Sequence, residues 1–325
     1  MADQEDFRST ASPETLKARA SLLRQTRAFF DSRSFVEVQT PLLSTDTVVD
    51  RHLDPVPVLL PSDPTDLQSG RNMFLQTSPE FLMKRLLASG MSAIYQITPA
   101  FRIGESGTQH NPEFTMLEWY RCGDDMHAGM SLLSEFASEL LNKPQAKTQT
   151  YSHAFVEHAG FEPLNQSAEQ LRERCVKAKL SFPTSLATED WDSWTEVLFS
   201  NLVQTNLGQE QPTIIYDYPA SQSALAQVRG NVAERFELFV DGIELANGYH
   251  ELLDANELRQ RNKKVNEQRI ADGKHPLPEE SRLAKAMEHG LPACSGVAVG
   301  FDRLLMLRTG KSSIDEVVSF TIDRT

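Results

Sequence analysis

Two arginines carry the strongest chemical suggestion in this chain. Arg102 follows Phe101 at the end of a β-rich stretch, and a loop then returns to the segment HNPEFTMLEWY at 110–120. Arg303 opens a helix after the small-residue run SGVAVG at 295–300. A guanidinium stays charged and its planar fork binds phosphate oxygens in pairs, so an arginine at a strand end suits a nucleotide. Small residues at alternate strand positions let a ligand lie against the backbone. A third segment, IELANGYHEL at 243–252, places Glu244 and Glu251 in a strand pattern. Acids in an apolar strand need partners or a cation. The two have opposite parity, so both reach one site only through a bulge, for which Gly248 is the natural place. Taken singly, each segment has a plainer explanation: a surface arginine on a hairpin, tight helix-on-sheet packing, or edge-strand acids in salt bridges.

The elements that must position these groups follow from local signals. Ser12 and Pro13 read as N-cap and first position of a helix that runs to about residue 32. A short strand, FVEVQ, precedes Pro41. Residues 50–66 are proline-rich and read as an extended excursion. Ser78-Pro79-Glu80 repeats the cap pattern and starts a helix that ends before Gly90. Strands are expected at AIYQIT and EFTMLEWYR, and again at TIIYDY, RFELFV and IELANGYHEL, with Asp241-Gly242 as a hairpin turn. Between them, residues from 126 to about 199 read as mostly helical. A polar helix is expected at about 255–272, and CSGVAV turns through Gly300 into the helix FDRLLMLR.

The chain has 325 residues, 40% of them hydrophobic, enough for a sizeable core. Its net charge is −13 and its pI about 5.1. Proteins that grip long RNA present a basic face, because phosphate contacts supply most of the affinity. No stable tRNA binding is therefore expected. Residues 255–285 are the basic exception, with eight Lys/Arg against five acids. They read first as a solvated helix face, and second as a docking patch for an acidic partner centred on Arg259, Arg261, Lys263 and Lys264. Cys122, Cys175 and Cys294 are odd in number and far apart, which points to reduced thiols in a cytoplasmic protein, with neither disulfides nor zinc. Residues 1–6 are acidic and lack an apolar core, and no apolar run reaches the roughly 18 residues of a membrane helix, so neither a targeting segment nor a membrane role is expected.

In this order the segments resemble the three motifs of class II aminoacyl-tRNA synthetases. The residues 35–42 stand as the first, FRxxE…HNPEFTMLEWY as the second, and the 295–304 run as the third. With GIELANGYHEL the wording is similar to the lysyl branch. It is closer still to the elongation factor P–lysine ligases, lysyl-synthetase paralogues without an oligonucleotide-binding domain. Only about forty residues precede Pro41, which leaves no room for such a domain. The segment SQSALAQ at 221–227 resembles that family's SxASLAQ. Ala298 stands where lysyl-tRNA synthetases usually have glycine, and where the ligases carry alanine beside a pocket for (R)-β-lysine.

The resemblance implies an α+β fold: a class II synthetase catalytic core, an antiparallel sheet flanked by helices, forming one domain over 1–325 with a helical insertion at about 126–205. It implies ATP bound by Arg102, Ile103, Gly104, Glu105, Asn111, Phe114, Glu244, Leu245, Gly300 and Arg303. Arg102 would hold the α-phosphate, and Arg303 the γ-phosphate while flanking adenine opposite Phe114. Glu244 and Glu251 would share Mg²⁺. Ser78, Pro79, Glu80, Tyr120 and Glu251 would hold lysine or β-lysine, with Ala298 beside it. Arg102, Arg303 and Glu244 would be the catalytic groups. The acceptor would be a lysine of elongation factor P, and the first motif would form a homodimer. Two positions depart from the pattern: Ile103-Gly104 replaces the usual Asn-Glu, leaving Glu105 one place on, and Ser34 stands in place of a glycine. Two other readings compete, a truncated ligase charging tRNA or another carrier, and a non-catalytic, amino-acid-sensing dimer.

Overall fold

A computed structural model describes residues 7–184 and 186–325; the acidic 1–6 segment lies outside the described residues. In chain order the elements begin with α1 (Pro13–Asp31), β1 (Val36–Glu37), β2 (Leu43–Ser44), β3 (Pro57–Leu60), β4 (Arg71–Leu75), α2 (Glu80–Ala88), β5 (Ala93–Phe101) and β6 (Glu113–Cys122). There follow α3 (Met126–Leu141), β7 (Lys147–Thr150), α4 (Tyr151–Ala159), α5 (Ala168–Lys177), α6 (Trp191–Leu198), β8 (Thr213–Pro219), β9 (Val228–Arg229), β10 (Val232–Val240) and β11 (Ile243–His250). The chain closes with α7 (Ala255–Ala271), α8 (Arg282–Gly290), β12 (Cys294–Gly300) and α9 (Phe301–Thr309). It divides into two compact units, one formed by residues up to 123 and from 252 onward, the other by 124–251.

In the first unit the strands run β1-β5-β6-β12, with β1 parallel to β5 and the rest antiparallel. Helix α1 starts where the caps require: Ser12 Oγ accepts from Thr15 N at 3.2 Å and Pro13 follows it. Its buried stripe includes Leu22, Phe29 and Phe30. Phe30 stacks on Tyr95 at 4.5 Å and meets Trp119 at 5.2 Å, so α1 covers the face of β5 and β6 that carries the register pair Tyr95/Trp119. The opposite face of the same strands carries Gln96 and Glu118. Helix α9 is locked to this frame by buried Asp302, which accepts from Thr115 N at 2.7 Å and pairs with Arg19. A small antiparallel sheet, β2-β4-β3, takes up the proline-rich excursion.

In the second unit the order is β11-β10-β8-β7, with β9 beside β10. Asp241 and Gly242 both have positive φ, 53° and 77°, the two-residue turn the sequence implied. An aromatic cluster that includes Tyr151, Phe155, Trp194, Phe199 and Phe239 forms the core of this unit.

Several expectations need correction. The fold is α+β as expected, but its strands are mixed, because β1–β5 and β7–β8 pair in parallel. The stretch read as a helical insertion contains the strand β7, whose polar KTQT is extended because it pairs with β8. The strand expected at FVEVQ shortens to Val36–Glu37, although Val38 N still donates to Tyr95 O at 2.8 Å. Ser78 is not the cap of α2; that position is Pro79. The bulge on β11 falls at Leu245, not Gly248: Leu238 pairs with Ala246 and Phe239 with Glu244, so Leu245 is the extra residue. Helix α8 was not expected at all.

Candidate functional site

The polar face of β6 and β12 holds a buried charge cluster. Glu118 is 1% exposed and lies directly across from Ala298; two residues on, Tyr120 lies across from Gly296. Ser78 Oγ donates to Glu118 Oε2 at 2.8 Å and accepts from Glu80 N at 3.0 Å, so one hydroxyl ties the start of α2 to the strand. Tyr120 OH donates to Glu118 Oε1 at 2.5 Å. Buried Lys84, one helical turn after Glu80, pairs with its carboxylate, and its ammonium stands 5.9 Å from the Tyr120 ring centre. Burial and the Glu80 charge push the Glu118 carboxyl up to about 7, against the opposing pull of Tyr120, Ser78 and Lys84. Two carboxyls and one ammonium share this enclosed site, and the raised pKa of Glu118 is the physical response to that excess of buried negative charge. Of the expected substrate residues, Ser78, Glu80, Tyr120 and Ala298 are brought together here, with Pro79 between two of them. Glu118 and Lys84 were missed. The signal for Glu118 was present, since its even parity with Tyr120 puts both on one strand face.

The two arginines lie at the other end of this frame. Arg102 Nε donates to Thr77 O at 3.3 Å, its Nη1 reaches Glu105 Oε1 at 3.3 Å, and its guanidinium sits 5.0 Å from the Phe114 ring centre. Glu105 therefore stands beside Arg102. Gly104, with φ of 82°, provides the left-handed turn between them that a residue with a side chain adopts only with strain. This gives a physical reason for the departure at 103–104. Ile103 is half exposed. Arg303 Nη2 meets His110 Nε2 at 2.5 Å and its Nε donates to Gln109 O at 3.4 Å. Burial and then the Arg303 charge lower the His110 pKa, which keeps the ring neutral as an acceptor. The Arg102 bonds of 3.3 Å are at the weak limit of hydrogen-bond geometry, whereas Arg303 is held more closely, by His110. Asn111 spends its side chain on the loop itself, donating to Glu113 O at 2.6 Å and accepting from Ile322 N at 3.1 Å. A Cβ at Gly300 would touch the Arg303 stem at 3.5 Å.

Glu244, Leu245 and Glu251 belong to the second unit. The bulge at Leu245 restores the parity that a plain strand denied. Glu244 falls on the face of Asn247 and Tyr249, the face that strand alternation carried one residue past His250 would give to residue 251. Leu245 has no register partner across β10. The same face carries Arg235, opposite Tyr249. Its guanidinium pairs with Glu237 and stands 4.8 Å from the Tyr218 ring centre. Burial opposes the Arg235 charge, yet Glu237, Tyr249, Tyr218 and Glu244 together raise its pKa. Asn247 Oδ1 is buried without a hydrogen-bond partner, an acceptor suited to an N–H group. Among the described residues there is no group of three or more His, Cys, Asp or Glu that could hold a metal ion. The carboxylates of Glu244 and Glu251 are hard oxygen donors of the kind Mg²⁺ takes one or two at a time, its other positions going to phosphate and water.

The basic stretch on α7 is largely neutralised. Arg259 binds Glu280 and Glu288, each at 2.7 Å, and Arg261 binds Glu257 at 2.9 Å, while Lys263 and Lys264 are exposed.

A strand frame with one apolar face under a helix, arginines at its loop ends and buried acids on its other face defines a class II synthetase core. The family described as tRNA synthetases class II (D, K and N) matches residues 4–324, and the chain belongs to it. It is an ATP-dependent ligase of the kind that forms AMP and pyrophosphate. The chain is 43% identical, over the whole length of both proteins, to the elongation factor P–(R)-β-lysine ligase of Edwardsiella ictaluri and to the proteins of the same name from Salmonella typhi and Salmonella paratyphi B. Among the described residues no helix is long and apolar enough to cross a membrane.

Proposed function

We propose that this chain activates (R)-β-lysine, or lysine, as an adenylate and transfers it to a lysine ε-amine of elongation factor P. The buried Glu80–Lys84–Glu118 cluster beside Ala298 carries this reading, because buried carboxyls flanked by a serine and a tyrosine hydroxyl suit an aliphatic ammonium. The names of the full-length relatives point to the same substrate and acceptor.

Ser78, Tyr120, Glu80 and Glu118 hold the substrate amine and leave its carboxylate toward the nucleotide. Arg102 binds the α-phosphate as that carboxylate attacks phosphorus and pyrophosphate departs. Arg303 holds the γ-phosphate end, and Phe114 provides an aromatic wall. Positioning and charge neutralisation suffice for this chemistry, so no side-chain nucleophile is needed. The neutral ε-amine of the acceptor then attacks the acyl carbon, AMP leaves, and the amine loses its proton. Glu244 and Glu251 would hold Mg²⁺, which neutralises phosphate charge when bound. The chain acts as a cytoplasmic homodimer assembled through the 35–42 segment, where Val36 is half exposed.

The test is mass spectrometry of elongation factor P incubated with this protein, ATP and either lysine isomer. A lysyl or β-lysyl mass gain on one lysine is expected. Label found on tRNA and never on the factor would overturn the acceptor assignment. Absence of any substrate-dependent pyrophosphate exchange would favour the sensing dimer.

A further inference from the structure

Strands β6 and β12 end on a pair of thiols. Cys122 and Cys294 stand directly opposite each other in the antiparallel register. Gly123 N donates to Ala293 O at 2.8 Å, the bond that brackets a non-hydrogen-bonded pair from outside. At such a pair the Cα atoms approach to about 4.5 Å, inside the roughly 4.4–6.8 Å range that a disulfide spans. Opposed residues share a face, so both thiols lie on the side of Tyr120 and Gly296, the next pair inward on that face. Cys122 is partly exposed, with Sγ 3.7 Å from Met91 O, and Cys294, beside it on the neighbouring strand, is fully buried. One sulfur can therefore meet a small oxidant and the other is placed to resolve it. Cys175 is buried in the aromatic core of the second unit and offers neither feature.

We propose that Cys122 and Cys294 form a two-electron oxidation site that closes into a cross-strand disulfide and shuts down substrate activation. With hydrogen peroxide as oxidant, the Cys122 thiolate attacks one oxygen; the O–O bond breaks, an S–O bond forms, and hydroxide leaves as water after taking a proton. The Cys294 thiolate then attacks the sulfenic sulfur; the S–S bond forms, the S–O bond breaks, and a second water leaves. Two thiols lose two electrons and two protons, and peroxide is reduced to water. The bridge draws the Cβ atoms from about 4.5–5.5 Å to about 3.8 Å. That movement falls beside Tyr120, whose hydroxyl holds Glu118 at 2.5 Å, so the amine site is distorted from its edge. A small dithiol reverses such a bridge by thiol–disulfide exchange, which makes the change reversible.

The effect on activity rests on the ligase reading above; the bond itself does not. The reduced protein is treated with hydrogen peroxide, alkylated, digested without reductant and analysed by mass spectrometry, with pyrophosphate exchange dependent on lysine or (R)-β-lysine measured in parallel. A linked Cys122–Cys294 peptide lacking two hydrogens is expected. Exchange should fall about tenfold or more, since a displacement of roughly 1 Å near the chemistry can cost about 10²-fold. Dithiothreitol should restore it, and Cys122→Ser should keep its own untreated rate after peroxide. Overoxidation of Cys122 without a linked peptide would overturn the proposal, as would a linked peptide with exchange unaltered. A linked peptide in a protein whose reduced form shows no exchange would uphold the thiol site and overturn the ligase reading.

Discussion

Glu118→Gln isolates the cost of holding a carboxylate inside the amine site. Burial and the Glu80 charge raise its folded pKa to about 7, against 4.5 for the ordinary group. A folded acid with a raised pKa binds its proton more tightly than the unfolded chain does. Its contribution therefore favours folding at low pH, is fully present below about 4.5, and is lost as pH rises through about 7. Each pKa unit corresponds to about 1.4 kcal/mol, so the loss across this window is about 3 kcal/mol. Glutamine cannot ionise and keeps two polar atoms for Ser78 and Tyr120. The unfolding free energy of the variant minus that of the natural protein should grow by about 3 kcal/mol between pH 4.5 and pH 8, most steeply below 7. Urea unfolding of both proteins across that range measures it, and the subtraction cancels the other titrating groups. A difference that stays constant with pH would refute the reasoning. The same substitution should raise KM for lysine or β-lysine about 30-fold or more at pH 8, because removing one partner of a buried charge pair costs about 2–5 kcal/mol. In the natural protein KM should rise as pH falls below about 7, where the ammonium must displace a proton.

Alanine at Arg102 or Arg303 should each reduce pyrophosphate exchange by about 10²-fold or more with thermal stability little changed; exchange near the natural rate in both would remove them from the mechanism. Ala298→Gly should raise activation of α-lysine relative to β-lysine by about 1–3 kcal/mol, read as the ratio of kcat/KM values, and an unchanged ratio would show that selectivity is set elsewhere. Ser34 has φ of 62° at the end of α1, where Phe35 N bonds Phe30 O and Ser34 N bonds Asp31 O, the bond pair that usually closes on glycine. Ser34→Gly should stabilise the protein by about 0.5–1 kcal/mol, the left-handed strain of about 1–2 kcal/mol less the entropy glycine restores to the unfolded chain, and a lowered melting temperature would contradict this. Light scattering at micromolar concentration should give the dimer mass; monomer alone would exclude assembly through the 35–42 segment.

What the sequence determined by itself is what neighbours along the chain decide. Ser12-Pro13 set the start of α1 and Asp241-Gly242 the β10–β11 turn, because caps and two-residue turns are satisfied within a few residues. Arg102 and Arg303 could be singled out as candidates from the sequence because phosphate chemistry admits few side chains. Long-range pairing decided the rest. Lys147–Thr150 is polar and short, and only its ladder with β8 makes it a strand. The bulge could sit at Gly248 or Leu245 on local grounds, and the register with β10 put it at Leu245. Glu118 looks like any acid in a β-pattern until α2 brings Glu80, Lys84 and Ser78 against it and excludes water. Its raised pKa belongs to that enclosure. Cys122 and Cys294 likewise read as separate reduced thiols, and become a pair only because β6 and β12 run antiparallel with those residues in register.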